Sequence, residues 1–446
     1  MPSGVGSCRF SRRSPRRRLV VPVTGLATCV VLAVTGCTAA AAPSSTTAAV
    51  GAATTTSAGP SVVKTIDPVA LRAAVEATVR ELMIPGAVVE VRTPQGEVTT
   101  AVGTTQRGAE VPPGPDTHFR IASVTKTMTS AVIVLLAEEG KLRFTDPVSH
   151  YVPGVPGGED ITVGQLLTMR SGLYGYTNDP GFAATLDADP GKVWTPQEVL
   201  AIAFRHPPEF PPGTAYDYSN TNYALLGLVV EKVDGRPLDQ AFRDRLTGPL
   251  GLGQTVLPAA TDTSLPEPWS HGYMYGGSSY ALVDSSYPPE MQAAARAGTL
   301  QPVDYTHQNP SYAWAAGGAV STADDLATWL TALVGGRVFD AEFQRQWLDS
   351  PQPADPAEPA ATQYGYGIER QTFAPGATMY FHFGEMPGFN SFAGHDPGND
   401  VTITIWSNLT VGLDGRQTAN ALLVTVVDQI YSLSPQATSA APPTTR

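Results

Sequence analysis

Past position 37 the chain contains no cysteine; its three are Cys8, Cys29 and Cys37. Everything downstream is therefore without a disulfide, a thiolate metal site or a cysteine nucleophile. A folded body there must be held by its apolar core alone. Positive charge is also scarce. Twenty-eight Lys and Arg face 40 Asp and Glu, and six of those arginines fall in the first 36 residues, which hold no acid. Beyond that segment 22 basic residues oppose the 40 acidic ones, a net charge of −18. So acidic a body, with no basic stripe, is a poor partner for nucleic acid, and anionic headgroups should repel it. The seven histidines are scattered, so neither a metal site nor a cofactor is expected. No Gly-x-Ser-x-Gly elbow, His-Glu-x-x-His helix, Walker loop or Rossmann glycine fingerprint occurs. What is present is 42% apolar content over 446 residues, enough for one large domain or two smaller ones.

The basic cluster "SRRSPRRR" precedes the apolar run "LVVPVTGLATCVVLAVTG". A cationic segment before so short an apolar stretch reads as a secretory signal over residues 1–36 rather than a membrane span. The run ends in "VTGC", which resembles the bacterial lipobox. That resemblance implies cleavage before Cys37 and lipidation of its sulfur. The body would then be exported and held on the outer face of a bacterial membrane by lipid alone. An uncleaved anchor is the plainer alternative. Residues 37–66 are rich in Ala, Thr, Ser and Pro without periodicity, a flexible tether. A comparable tail is expected over 433–446.

Between these ends, 67–432 reads as one folded body. "DPVALRAAVEATVREL" opens it as a helix with a capping Asp67 and proline in the first turn. "GAVVEVRTPQGEVTTAVG" reads as a β-hairpin. "ITVGQLLTMRSGL" suggests a helix ending near Gly172, and further helices are expected around 195–205 and 221–234. Residues 258–315 show little period and are expected to form a long loop region. "STADDLATWLTALVGG" is a helix capped by Ser321 or Thr322. "YGYGIER", "MYFHFG", "NSFAGHDP" and "DVTITIWSN" read as antiparallel strands, closed by a helix in "GRQTANALLVTVVDQIYSL". The fold class is thus α+β: one antiparallel sheet shared by both ends, flanked by helices, with a mainly helical insertion over roughly 146–330.

Chemistry concentrates at three places. In "FRIASVTKTMTSAVIVLLAEEGKL", Ser123 and Lys126 lie three apart and so on one helix face. Desolvation in so apolar a helix would favour the neutral amine a base needs. A capping serine with a snorkelling lysine is the plainer alternative, and Ser61-x-x-Lys64 shows that the spacing alone is weak. Tyr218-x-Asn220 precedes an apolar helix and could supply a phenol for proton transfer and an amide for a substrate carbonyl. Tyr176-x-Asn178 shares the bare pattern. His382-x-Gly384 occupies an expected strand, where His382 could contact a substrate carboxylate or Tyr218, and Gly384 could admit substrate to the backbone.

In this order the three patterns resemble those of serine hydrolases related to class C β-lactamases, D-alanyl-D-alanine carboxypeptidases and esterases. "FRIASVTKTMTS", "ITVGQLLTMRSGL", "FPPGTAYDYSNTNYALLGLVVEKVDG", "AWAAGGAVSTADDLATWL" and "HFGEMPGFNS" all read as blocks of that family. The resemblance implies that Ser123 attacks a carbonyl while Lys126 and Tyr218 share base and acid work. It further implies that Asn220 orients the acyl side chain and that the amides of Ser123 and Glu385 form an oxyanion hole. Substrates would be small molecules or peptides, cell-wall D-Ala peptides or esters among them. A non-catalytic penicillin or cell-wall peptide binder and a weak β-lactamase are the alternatives. His382 stands where class C β-lactamases carry lysine. Glu385 stands where small or hydroxyl residues are common, and its carboxylate would repel an anionic substrate if it pointed inward.

Overall fold

The structure is a computed structural model that describes residues 62–282 and 287–432. The expected signal, Cys37, all but the end of the tether, and the 433–446 tail lie outside the described residues. Eight strands form one antiparallel sheet: β1 Gly86–Thr93, β2 Gly96–Gly103, β3 Gln352–Pro353, β4 Gln363–Tyr364, β5 Glu369–Ala374, β6 Ala377–Met386, β7 Phe389–Asp396 and β8 Val401–Ser407. Their order is β2-β1-β8-β7-β6-β5-β4-β3, so the N-terminal hairpin pairs with the last strand of the chain. The hairpin and the last three expected strands hold, but "YGYGIER" is not one strand: a turn through the left-handed Gly367 (φ 69°) separates Tyr364, at the end of β4, from Glu369, at the start of β5.

Burial explains the strand sequences. β7 and β8 are buried at every position, which fits strands covered on both faces. Side chains alternate between two cores: Ala87, Val89 and Val91 face one, Val88 the other. The first core lies beneath the helices Pro68–Leu82 and Thr418–Ile430, which pack on each other. The second lies beneath Ala323–Val334 and extends into the helices of the insertion. The opening helix is capped as expected, the Asp67 carboxylate accepting from the Val69 and Ala70 amides. Thr322, not Ser321, caps Ala323–Val334 by accepting from the Asp325 amide. Among the described residues no helix is long and apolar enough to cross a membrane.

Two further expectations need correction. The helix expected to end near Gly172 spans only Val163–Leu167. Met169 (φ 58°) and Gly172 (φ 75°) are left-handed, and a Cβ on Gly172 would stand 2.0 Å from the Phe210 carbonyl oxygen, so the chain turns early. Residues 258–315 are not simply a loop. They carry a two-residue ladder, Tyr273–Met274 with Val303–Asp304, and helices Ser279–Leu282 and Pro289–Arg296. Such short elements leave no periodicity to read. Polar contacts pin the segment instead: buried Arg120 donates to the carbonyls of Thr263 and Thr306, and Asp187 accepts from the Ser278 amide and hydroxyl.

Candidate active site

The site is built around the chain reversal that leads from strand Phe119–Arg120 into the helix Thr125–Glu138. Ala122, immediately before Ser123, is left-handed at φ 48°. An L-residue with a side chain pays roughly 1–2 kcal/mol there, and local bonds hold it. The Ile121 amide donates to the Ala319 carbonyl at 3.1 Å, and the Ser391 hydroxyl donates to the Ile121 carbonyl at 3.0 Å. Gly384 on β6 completes the clamp: a Cβ there would lie 2.2 Å from the Ile121 carbonyl oxygen. Gly384 thus makes room for the chain before Ser123.

Lys126 is fully buried in a helix of almost wholly buried residues. Its Nζ lies 2.9 Å from Ser123 Oγ, 2.7 Å from Asn220 Oδ1 and 2.8 Å from the Ala316 carbonyl. Burial drives its pKa well below the ordinary lysine value, with nearby Glu369 opposing. A neutral amine has two N–H groups and one lone pair. The amide oxygen of Asn220 and the Ala316 carbonyl can only accept, so they take the two N–H groups. The lone pair is then left for the Ser123 hydroxyl. Asn220 begins the helix Asn220–Asp234, and its amide also donates to Thr177 Oγ1 at 3.1 Å. Asn220 therefore holds the lysine, a contact the resemblance did not supply, and it also lines the cleft.

Tyr218, two residues earlier, is half-buried, with Lys126 Nζ 4.8 Å from its ring centroid. Burial raises its pKa well above the usual phenol value, while its hydrogen bond with Ser123 acts in the other direction. The phenol therefore stays protonated at neutral pH. Tyr216, Tyr218 and Tyr364 pack together, the last two edge to face at 6.0 Å.

His382 is buried, and its hydrogen-bond partner is Tyr364 rather than Tyr218. Its Nδ1 faces the Phe383 carbonyl at 2.6 Å, so that nitrogen carries the proton. Nε2 is then the acceptor for the Tyr364 hydroxyl at 3.1 Å. Burial pushes its pKa down to about 3. A neutral His382 offers no charge to a substrate carboxylate.

One cleft brings together Ser123, Tyr218, Asn220, His382 and Glu385. It also includes Glu369, Gln417, Thr177 and Asn178, which sequence reasoning did not select. Asn178 thus reaches the cleft, while Tyr176, its partner in the bare pattern, is buried and donates to the Tyr312 carbonyl. Glu369 sits on β5 and Glu385 on β6, and burial raises each to about 8. Lys64 of the other Ser-x-x-Lys donates instead to the Asp428 carbonyl; Ser61 lies outside the described residues. Among the described residues no cluster of His, Cys, Asp or Glu could hold a metal.

Known proteins share this fold. A D-stereospecific amidohydrolase from Streptomyces superposes with TM-score 0.69 and 31% identity, covering 81% of this chain and 98% of that one. The D-amino acid amidase of Ochrobactrum anthropi SV3 gives TM-score 0.69 at 25% identity, covering 81% and 98%. In sequence, a Bacillus subtilis protein named for penicillin binding, PbpX, is 26% identical over 83% of this chain and 80% of its own. The D-alanyl-D-alanine-carboxypeptidase/endopeptidase AmpH of Escherichia coli is 34% identical, over 37% of this chain and 43% of its own. The family model described as Beta-lactamase matches residues 71–427, four fifths of the sequence, and the chain belongs to that family of serine hydrolases.

Proposed function

We propose that the protein hydrolyses small peptides, amides or esters through an acyl-enzyme on Ser123. The observation that carries this is the buried, discharged Lys126 whose only unspent valence faces Ser123 Oγ. As the Ser123 oxygen bonds to the substrate carbonyl carbon, its proton passes to Lys126 Nζ. The carbonyl oxygen becomes an oxyanion, for which the amides of Ser123 and Glu385 are the candidate donors. Both residues line the cleft, one from the reversal and one from β6. Tyr218, kept as a neutral phenol, donates to the leaving group as its bond to the acyl carbon breaks, and Lys126 returns a proton to the phenolate. Water then attacks the acyl-enzyme by the same route in reverse. Lys126 rather than a tyrosinate is the base in this scheme, because burial favours the neutral form of both groups.

The named activities of two relatives, D-alanyl-D-alanine carboxypeptidase and D-amino acid amidase, support D-amino-acid peptides and amides as the substrates in this reading. Turnover of a p-nitrophenyl ester by the wild type, abolished in Lys126→Ala, supports the scheme. Equal turnover by both removes Lys126 from it, and covalent capture of a ligand without turnover leaves a binding protein. For location, we propose export and a lipid on Cys37. A mass spectrum showing a diacylglyceryl adduct at Cys37 supports that, and an unmodified N-terminus beyond it removes it.

A further inference from the structure

The carboxyl groups that line the cleft around Ser123 have no basic counterpart there. Of its lining residues, Glu369 and Glu385 are acids and none is lysine or arginine. Lys126 lies behind the lining, its hydrogen-bonding capacity taken by Ser123, Asn220 and Ala316. His382 is neutral, with both ring nitrogens engaged. Arg170 stacks on Tyr216, which lines the cleft, but its guanidinium donates to the Pro353 carbonyl and is not itself part of the lining.

Both acids lack strong donors. Glu369 is only 6% exposed, receives the Phe383 amide, and has no ion-pair contact among the described residues. Glu385 accepts from Gln417 through Oε2, while its Oε1 is buried with no hydrogen-bond partner. A buried carboxylate oxygen without a donor, on a residue that lines a substrate cleft, is an acceptor that a donor on the ligand can satisfy.

We infer that the cleft selects acyl donors that carry a protonated amine close to the scissile carbonyl and disfavours those that carry a carboxylate. This rests on Ser123 being the nucleophile and narrows the substrate to free amino-acid amides or peptides with an open N-terminus. An entering ammonium finds two acceptors in a poorly solvated site, where opposite charges attract more strongly than in water. Burial holds both carboxyls near 8, so ionising one at pH 7 costs about tenfold in affinity. Contact with the ammonium offsets that cost. An entering carboxylate loses its hydration and meets no cation.

The test compares the p-nitroanilides of D-alanine, N-acetyl-D-alanine and N-succinyl-D-alanine, whose α-nitrogen is a free ammonium, a neutral amide, and an amide extended by a carboxylate. The full chain should favour the free amine over its N-acetyl form by at least about tenfold in kcat/KM, with the succinyl form slowest. Glu369→Gln and Glu385→Gln should each bring the amine-to-acetyl ratio down several-fold. A ratio at or below one, or one that neither variant moves, overturns the inference. So does a faster succinyl substrate, which would mean that the carboxyls act as protonated donors to an anion. If the variants do not fold, or the anilides are not cleaved, protection of Ser123 from a fluorophosphonate decides in the wild type. Protection by D-phenylalanine amide and not by N-acetyl-D-phenylalanine supports the inference, and the reverse overturns it. A folded chain that takes no fluorophosphonate at Ser123 overturns the nucleophile assignment itself, and this inference with it.

Discussion

Single side chains in this site owe their chemistry to burial more than to charged partners. Lys126 is discharged because its amine has no access to water, and activity should follow its protonation. The neutral base is present above the depressed pKa and lost as pH falls through it, so kcat/KM should decline on acidification with a midpoint below the ordinary lysine value. Lys126→Ala should lower kcat/KM by about 10³-fold or more in steady-state assays. Glu369 carries a cost that shows in stability. Its folded pKa of about 8 exceeds the unfolded 4.5, so its contribution is intact below pH 4.5 and is lost as pH rises through 8. Glu369→Gln cannot ionise, so its melting temperature relative to wild type should improve from pH 5 to pH 8. An unchanged gap would mean that the carboxyl titrates normally. Ser123 and Lys126 were legible because their spacing is local and the apolar helix behind them is visible in sequence. Glu369 and Tyr364 were not, since Glu369 reaches the cleft, and Tyr364 reaches His382, only through strand pairing that no short motif encodes.

At the scale of elements, the nucleophile turn depends on β6. The left-handed Ala122 is held by the Ile121 carbonyl, which is seated against Gly384 and bonded to Ser391 of β7. Gly384→Ala would put a Cβ into that carbonyl, and overpacking of this kind costs about 1–3 kcal/mol. The variant should unfold at lower denaturant and lose kcat while His382, two residues away, is unaltered. Full activity in Gly384→Ala would show that the turn does not need the strand so close. The sequence pattern placed Gly384 on a strand but could not say what approaches it, because the approaching carbonyl lies more than 250 residues earlier. Capped helices and the hairpin were legible for the opposite reason: Asp67, Thr322 and the alternating apolar runs act over a few residues. The 258–315 segment was misread because arginine and aspartate contacts to distant backbone, rather than apolar periodicity, give it order.

Across the whole domain, the two ends of the folded body meet in one layer. β1 pairs with β8, Val63 bridges Tyr431, and the Lys64 amide donates to the Ile430 carbonyl. The closing helix Thr418–Ile430 buries Leu422, Val426 and Ile430 against the opening helix and the sheet. With no cysteine beyond Cys37, no covalent link can substitute for that packing. Deleting residues from 418 onward should leave protein that is insoluble or fails to show a cooperative melt, and a soluble, active truncation would contradict it. The α+β class and the shared sheet were legible from strands at both ends with helices between, since topology of this kind follows from element order.

The most direct test of the acyl-enzyme is intact-mass analysis of the folded protein after a fluorophosphonate, followed by peptide mapping. Ser123 as nucleophile requires one adduct per chain on the peptide containing Ser123, absent in Ser123→Ala. An unmodified wild type, or an adduct that persists in Ser123→Ala, would contradict it.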